Sequence, residues 1–306
     1  EFDYVQRIAD GIDAFAEPGR RISVVHIGGA GLTLPRCGVS RRRRPLRLAG
    51  MKPVLRATMS ILLSALVASC VTRAPVAGTR GFVSDPHTDR ILLFSATAGF
   101  RHDSIPTALA TLQQLAAQNG LAVDATEDAA RFNDADLSRY AAVVFVSTTR
   151  EVLDPPHQAA FERYVAQGGG FVGMHAAADS GYTWPWYGDL VGAWFARHPE
   201  GLQTVRVVFE NGSGPAGVED WRVTDEIYDY RRNPRLQVRV IASVDPASHP
   251  AGGMGDDHPI AWCHTNAGGR AWYTGLGHDA ALFADPVFRA HLQRGLLWSA
   301  GRAETC

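Results

Sequence analysis

Short apolar runs alternate with amphipathic segments through most of the second two thirds of the chain. Residues 90–95, 122–126 and 141–147 are continuous apolar runs with the length of buried parallel strands. Between them, residues 104–119 place leucines on one helix face, with Ser104 positioned to cap the helix start. Asp154 opens a second helix that three glycines close. This alternation predicts an α/β fold with a doubly wound parallel sheet.

The later part of the domain contains more strand-like runs than such a parallel core needs. These runs are residues 205–210, 223–230, 238–244, 260–264 and 271–276. We therefore expect some of them to form an antiparallel extension of the sheet. Asp285 and Pro286 mark the start of the last helix.

Residues 168–179, GGGFVGMHAAAD, predict a buried strand, a sharp turn and a helix start, with His175 at the turn. In α/β folds, ligands and reacting groups collect at the carboxyl ends of such strands. An imidazole at this position suits proton transfer or metal ligation, and it excludes the thiol or hydroxyl nucleophile that such a turn often carries.

Four more motifs accompany this turn: residues 98–105 (AGFRHDSI), residues 184–199 from WPWY to HP, residues 224–228 (TDEIY), and residues 254–278 from MGDDHPIAW to GLGH. In this order the five motifs resemble the trehalose-utilisation (ThuA-like) family over about residues 90–301. The resemblance implies a flavodoxin-like fold similar to the class I glutamine amidotransferases. Those enzymes carry cysteine at the turn where this chain has His175, so amidotransferase chemistry is not expected.

The motifs supply a set of residues for acid–base or ligand chemistry. We expect catalytic roles for His102, His175, Asp179, Glu226 and His278. Asp179 follows His175 by one helical turn, so it is placed either to orient the imidazole or to cap the turn before Tyr182. His175 itself has an alternative role as a buried structural histidine.

A second set of residues is placed to contact a substrate: Arg101, Trp184, Trp186, Tyr187, His198, His258 and Trp262. Flat aromatic faces suit stacking on the C–H surfaces of a sugar, although aromatic clusters also form cores. An arginine in a glycine-preceded loop can clamp a carboxylate or hydroxyls, or it can remain a solvated charge.

The histidines do not decide whether the protein binds a metal cofactor. His198, His258 and His278 with Glu226 could form an open zinc or manganese site, although their spacing is unlike HExxH. No nucleotide is expected, because no GxGxxG follows the first strand. The sequence favours hydrolysis or elimination on a small saccharide or glycoside. The alternative is a non-catalytic carbohydrate-binding or sensing lipoprotein.

The composition and charge of the chain limit the classes of partner that it is expected to bind. The 306 residues carry a net charge of −1, and the one basic block, residues 41–44, lies outside the predicted domain, so no nucleic-acid partner is expected. The cysteines are Cys37, Cys70, Cys263 and Cys306, without metal-finger spacing. Cys263 lies in an apolar run and is predicted to be a buried, inert thiol.

The first ninety residues predict targeting rather than a folded domain. Residues 51–70 have a basic start and an apolar run that ends in VASC, which resembles a lipoprotein signal with Cys70 as the lipidated residue. A plain signal peptide is the alternative. Residues 71–89 resemble a tether. We expect a protein on the periplasmic side of a bacterial membrane, attached only through a lipid anchor, or free in the periplasm.

Residues 1–50 are expected to be a fragment of a neighbouring gene or a start site placed too early. Residues 1–36 resemble the start of a spermidine-synthase-like methyltransferase, with a strand followed by glycines. One strand and one helix cannot bury a core or complete a cofactor site, so no activity is expected there.

Overall fold

The computed structural model describes residues 89–210, 212–250 and 252–306. The predicted fragment, the signal segment with Cys70 and nearly all of the tether lie outside these residues. None of the helices in the described part of the chain has the length and apolarity needed to cross a membrane.

Eleven strands and five α-helices make up the described residues. The strands are β1 (Arg90–Phe94), β2 (Ala122–Thr126), β3 (Ala142–Val146), β4 (Gly170–Met174), β5 (Phe195–Arg197), β6 (Gln203–Phe209), β7 (Asp220–Asp225), β8 (Asp229–Tyr230), β9 (Arg239–Val244), β10 (His258–Asn266) and β11 (Gly269–Thr274). The helices are α1 (Ile105–Gln118), α2 (Asp134–Leu137), α3 (Pro155–Ala166), α4 (Pro185–Val191) and α5 (Pro286–Ser299).

Nine strands form one mixed sheet in the order β2-β1-β3-β4-β11-β10-β9-β6-β7, and β5 and β8 form a separate pair. The first five strands of this order run parallel, whereas β10, β9, β6 and β7 are joined by antiparallel pairings. The predicted α/β class, with a parallel sheet and an antiparallel extension, is confirmed.

The direction of β11 decides at which edge of the sheet the loop that follows this strand lies. β11 pairs in parallel with β4, with Thr274 opposite Met174, and β4 pairs in parallel with β3, with Met174 opposite Val146. Because β1, β3, β4 and β11 point the same way, the loops that follow them meet at one edge of the sheet.

Among the parallel strands, β1, β3 and β4 are buried on both faces, as their continuous apolar sequences require, whereas the edge strand β2 is largely exposed. The predicted helix starts at Asp154 and Asp285 are confirmed, because each carboxylate accepts a backbone N–H of the first turn. Ser104 is the N-cap residue of α1, as predicted, but its side chain makes no capping hydrogen bond. Its hydroxyl donates to the Gly277 carbonyl oxygen at 2.8 Å, so it ties α1 to the loop after β11.

The structure also corrects the expectation for Cys263, which is paired with Cys306 in a disulfide across 43 residues. Cys263 lies on β10, and the end of the chain returns after α5 so that Cys306 is buried against it. A lone thiol in an apolar run has the same sequence signature as a half-cystine, and only the path of the chain end separates the two.

His291 is a core histidine of α5 that gives the fold a pH dependence. Its ring packs against Trp272, Phe209 and Phe288, and Nε2 lies 3.3 Å from Thr274 Oγ1. Burial lowers the pKa of His291 to about 3. Below pH 6.5 the unfolded chain therefore takes up a proton that the folded chain does not, and stability falls as the pH drops towards 3.

We predict that His291→Gln makes the protein less sensitive to acid. Between pH 7 and pH 5 the unfolding free energy should fall by about 2 kcal/mol less in the variant than in the unchanged chain. Urea titrations at both pH values measure this difference. His157→Gln, which removes a partly exposed histidine of α3, is the control and should retain the original pH dependence. Equal slopes in all three proteins would contradict the prediction.

Candidate functional site

Three histidines from three parallel strand ends converge at the carboxyl edge of the sheet. His102 follows β1, His175 follows β4 and His278 follows β11. The ring centroids lie 4.8 Å apart for His102 and His175, 5.1 Å for His102 and His278, and 5.3 Å for His175 and His278. Glu226, just after β7, completes a group whose ligand atoms all lie within 4.8 Å of one another.

His175 is held in a strained backbone conformation at the turn after β4. Its φ of +44° lies in the left-handed region, which costs a non-glycine residue roughly 1–2 kcal/mol. Two hydrogen bonds fix it there: Tyr273 Oη donates to the His175 carbonyl at 2.9 Å, and His175 Nδ1 lies 2.8 Å from the Gly275 carbonyl oxygen. A carbonyl only accepts, so Nδ1 carries the proton.

That tautomer directs the Nε2 lone pair of neutral His175 at a carboxylate. Nε2 lies 3.4 Å from Glu226 Oε2, and His278 Nδ1 lies 3.3 Å from the same oxygen. Both nitrogens are buried atoms without a hydrogen-bond partner in the described chain, as is His102 Nδ1. The contacts are close but are not aligned as hydrogen bonds. The Nε2 lone pair of neutral His175 and a carboxylate oxygen repel at this distance unless a cation lies between them, either a proton or a metal ion.

The electrostatics of the group favour positive charge next to Glu226. Burial alone raises the pKa of Glu226, but the contacts with His175 and His278 outweigh it and hold that pKa well below its usual range. The nearby Glu226 carboxylate raises the pKa of His278. Burial, with His175 and His278 as neighbours, lowers the pKa of His102 to about 3, so His102 is neutral.

Two of the separations between donor atoms equal those expected in a tetrahedral metal site. Ligand atoms bound to zinc at 2.0–2.1 Å are separated by about 3.3–3.4 Å when the geometry is tetrahedral. The two distances from Glu226 Oε2 to the imidazole nitrogens, 3.3 and 3.4 Å, fall at this value. The bond from His175 Nδ1 to a carbonyl is the outer contact that metal-binding histidines usually make. His102, His175, His278 and Glu226 can therefore hold a divalent cation.

Two residues that the sequence did not mark as functional fix the loop that presents His278. Asp225, at the end of β7, is fully buried and accepts the N–H of Gly277 at 2.6 Å and the N–H of Asp279 at 2.8 Å. Ser104 binds the Gly277 carbonyl from the other side. The sequence signal for Asp225 was its place directly before Glu226. Only Glu226 was predicted to have a role.

His198 lies at the rim of the group, and the remaining predicted polar residues are engaged elsewhere. His198 Nδ1 is 3.3 Å from Glu226 Oε1 and 2.8 Å from the Pro199 carbonyl oxygen. Asp179 accepts the Tyr182 hydroxyl at 2.6 Å, and it is not one of the four converging donors. Arg101 pairs with Glu127 at 2.6 Å on the surface. Asp179 therefore contacts the turn before Tyr182, which was the predicted alternative to orienting the His175 imidazole.

The structure corrects the binding role predicted for the aromatic residues after the turn. Tyr187 is fully buried and stacks on Phe145, with its hydroxyl bound to the Ala177 carbonyl. Trp184 is buried and donates to Glu162, and the partly buried Trp186 stacks on Trp184. The faces of Tyr187 and Trp184 are covered by other aromatic rings, so they have no surface left for a sugar.

His258 and Trp262 are also placed away from the predicted contact with substrate. Trp262 is fully buried in the core, and its indole donates to the Val191 carbonyl. His258 is buried in a different group, with Asp229 and His249. Both residues are buried on β10, an interior strand of the sheet.

Phe100 is an exposed aromatic residue at the site that the sequence reasoning did not select. It is 66% exposed, and its ring centroid lies 4.8 Å from that of His102 in an edge-on contact. Thr149 Oγ1 donates to the Phe100 carbonyl at 3.0 Å and accepts the Gly99 N–H at 3.1 Å, so the loop is anchored. The signal was its place in the GFRH motif, two residues before His102.

Comparisons with known proteins agree on the fold. A family model described as ThuA, trehalose utilisation, matches residues 90–299. The curated proteins contain no match to the chain. A ThuA-like protein from Bacteroides uniformis ATCC 8492 is 24% identical, with a TM-score of 0.59 over 70% of this chain and 92% of that chain. A ThuA-like protein from Parabacteroides merdae ATCC 43184 is 21% identical, with a TM-score of 0.58 over 71% and 92%.

We predict that Asp225→Asn destabilises the protein by about 1–3 kcal/mol, because an amide turns a donor towards one of two buried N–H groups. Urea unfolding monitored by circular dichroism measures the loss. Asp220→Asn, at the exposed start of the same strand, is the matched control and should cost less than about 1 kcal/mol, since it removes only a surface ion pair with Arg206. Equal losses in both variants would show that the Asp225 bonds do not support the loop.

Proposed function

Because this chain belongs to the trehalose-utilisation (ThuA) family, we propose that it acts on a saccharide or glycoside at a divalent metal centre formed by His102, His175, His278 and Glu226. The family name supports the substrate class. The supporting observation for the metal is the pair of buried imidazole nitrogens that face one carboxylate oxygen at 3.3 and 3.4 Å without hydrogen-bond alignment.

A metal ion at this position would lower the pKa of a bound water or sugar hydroxyl and polarise a substrate carbonyl. The protein residues divide the remaining work. His175 is kept as the Nδ1–H tautomer by the Gly275 carbonyl and offers Nε2 as a ligand. His278 is positioned by the loop that Asp225 holds.

His198 is the proposed proton-transfer group. Its Nδ1 lies 2.8 Å from the Pro199 carbonyl, which only accepts, so the neutral ring has its lone pair on Nε2. The side chain is 36% exposed at the rim, beside Glu226 Oε1. It is therefore able to exchange a proton with a substrate hydroxyl or with solvent while it stays beside Glu226.

Phe100 is the proposed sugar contact. Its exposed ring stands beside His102, and aromatic faces bind the C–H surfaces of sugar rings. It takes the role first predicted for Trp184 and Trp186, which stack on each other.

The geometry favours turnover over passive sugar binding. A binding protein of the predicted kind would present the tryptophans to the ligand, but Trp184 and Trp262 are buried. The convergent group instead consists of metal-ligand and acid–base side chains.

We predict that His278→Asn lowers the zinc or manganese content of the purified full chain by about one ion and reduces turnover at least about 100-fold, because a ligand is lost. Metal analysis and a screen of unmodified and oxidised disaccharides measure these effects. His264→Asn is the matched control, since this partly buried histidine bonds the Leu190 carbonyl and belongs to neither donor group. It should retain both metal and turnover.

Unchanged metal content and turnover in His278→Asn would contradict the proposal. A second contradicting result is metal loss in His278→Asn with sugar affinity intact, together with no turnover by the unchanged chain on any disaccharide. That result would reject an enzymatic role and favour a sugar-binding protein.

We predict that Phe100→Ala raises the KM for the disaccharide about fivefold to tenfold, with kcat nearly unchanged, because about 1 kcal/mol of stacking is lost away from the reacting atoms. Phe100→Trp keeps an aromatic face and should restore the original KM. Steady-state kinetics on the three proteins measure the effect. A fall in kcat alone, or no rescue by tryptophan, would argue against a stacking role.

A further inference from the structure

A second group of metal-ligand side chains lies outside the centre described above. Asp229 at the start of β8, His249 after β9 and His258 at the start of β10 are all buried, and one ligand atom from each lies within 4.8 Å of the others. The histidine ring centroids are 5.5 Å apart.

Two atoms of this group are buried without a hydrogen-bond partner in the described residues. They are His249 Nε2 and Asp229 Oδ1. The other carboxylate oxygen, Asp229 Oδ2, is occupied by Arg197 at 2.9 Å and by the Gly253 N–H at 2.8 Å. An unpaired buried nitrogen beside an unpaired buried carboxylate oxygen is costly unless something binds both.

The third side chain is held by a backbone carbonyl beside the carboxylate, with His258 Nε2 3.9 Å from Asp229 Oδ1. His258 Nε2 lies 2.9 Å from the Tyr228 carbonyl oxygen. Because a carbonyl only accepts, Nε2 carries the proton, and the lone pair of the neutral ring is on Nδ1. A bond from the distal ring nitrogen to a backbone carbonyl is the outer contact that fixes such ligands.

Two glycines let the β9–β10 connection close over this group. A Cβ on Gly253 would lie 2.4 Å from Arg197 Nη2 and 2.6 Å from Asp229 Oδ2, and one on Gly252 would lie 2.4 Å from His249 Cδ2. The backbone can approach the carboxylate and the imidazole only because both positions lack side chains.

We propose that Asp229, His249 and His258 bind a second divalent cation of the zinc class. Two imidazoles and one monodentate carboxylate are a three-ligand set that zinc takes in proteins, with water in the fourth position. The ion ties the β9–β10 connection to β8. It also fixes Tyr228, whose carbonyl holds His258 and whose ring packs 4.2 Å from that of His175.

The test counts ions on the full chain. The protein is stripped with a chelator, dialysed against Zn²⁺ and analysed for zinc together with His249→Asn, His278→Asn, the double variant and His264→Asn. Relative to the unchanged chain, we expect about one ion fewer in each of the first two variants, about two fewer in the double variant and no loss in His264→Asn.

The outcomes separate the two sites. Zinc content unchanged in His249→Asn would overturn the second site and leave the first intact. Zinc lost in His249→Asn but not in His278→Asn would support the second site and reject the first. If His249→Asn does not fold, crystals of the unchanged chain grown with Zn²⁺ decide the question. An anomalous peak among the three side chains supports the site, and a peak at the first centre alone overturns it.

Discussion

The carboxylate of Glu226 is the interaction on which the candidate site depends. It collects the nitrogens of His175, His198 and His278 at 3.3–3.4 Å, and in the first and third of these the nitrogen is otherwise unpartnered. With His175 fixed as the Nδ1–H tautomer, its Nε2 lone pair faces the carboxylate, and a proton or a metal ion between them relieves the repulsion. The chemistry proposed for the site takes that cation to be a metal ion, which would also activate a substrate oxygen.

The sheet supplies the rigidity that holds such groups together. β1, β4 and β11 run parallel, so the loops that carry the three histidines leave the same edge. The strain at His175 is kept by bonds to Tyr273 and Gly275, both from β11 or the loop after it. Backbone strain that persists at one position shows that the surrounding structure fixes it, and here it turns an imidazole towards the group.

One short segment joins the two donor groups. Residues 225–229 run from the end of β7 to the start of β8 and contribute Glu226 to one group and Asp229 to the other, while Asp225 holds the loop that carries His278. Tyr228, between them, packs on His175 and bonds His258. A change that moves this segment therefore alters both groups together, and this contiguity gives the second group a means to position the first.

The sequence determined the alternation of strands and helices and the place of His102, His175 and Glu226, because apolar length, turns and caps are local properties. It did not determine which aromatic rings face a ligand, because tyrosine and tryptophan occur both in protein cores and in binding pockets. Tyr187 and Trp262 are buried by packing against neighbouring elements. The direction of β11, the support from Asp225 and the meeting of Asp229 with His249 depend on pairing between residues far apart in the chain. No local pattern encodes such pairings, so only the tertiary structure decided them.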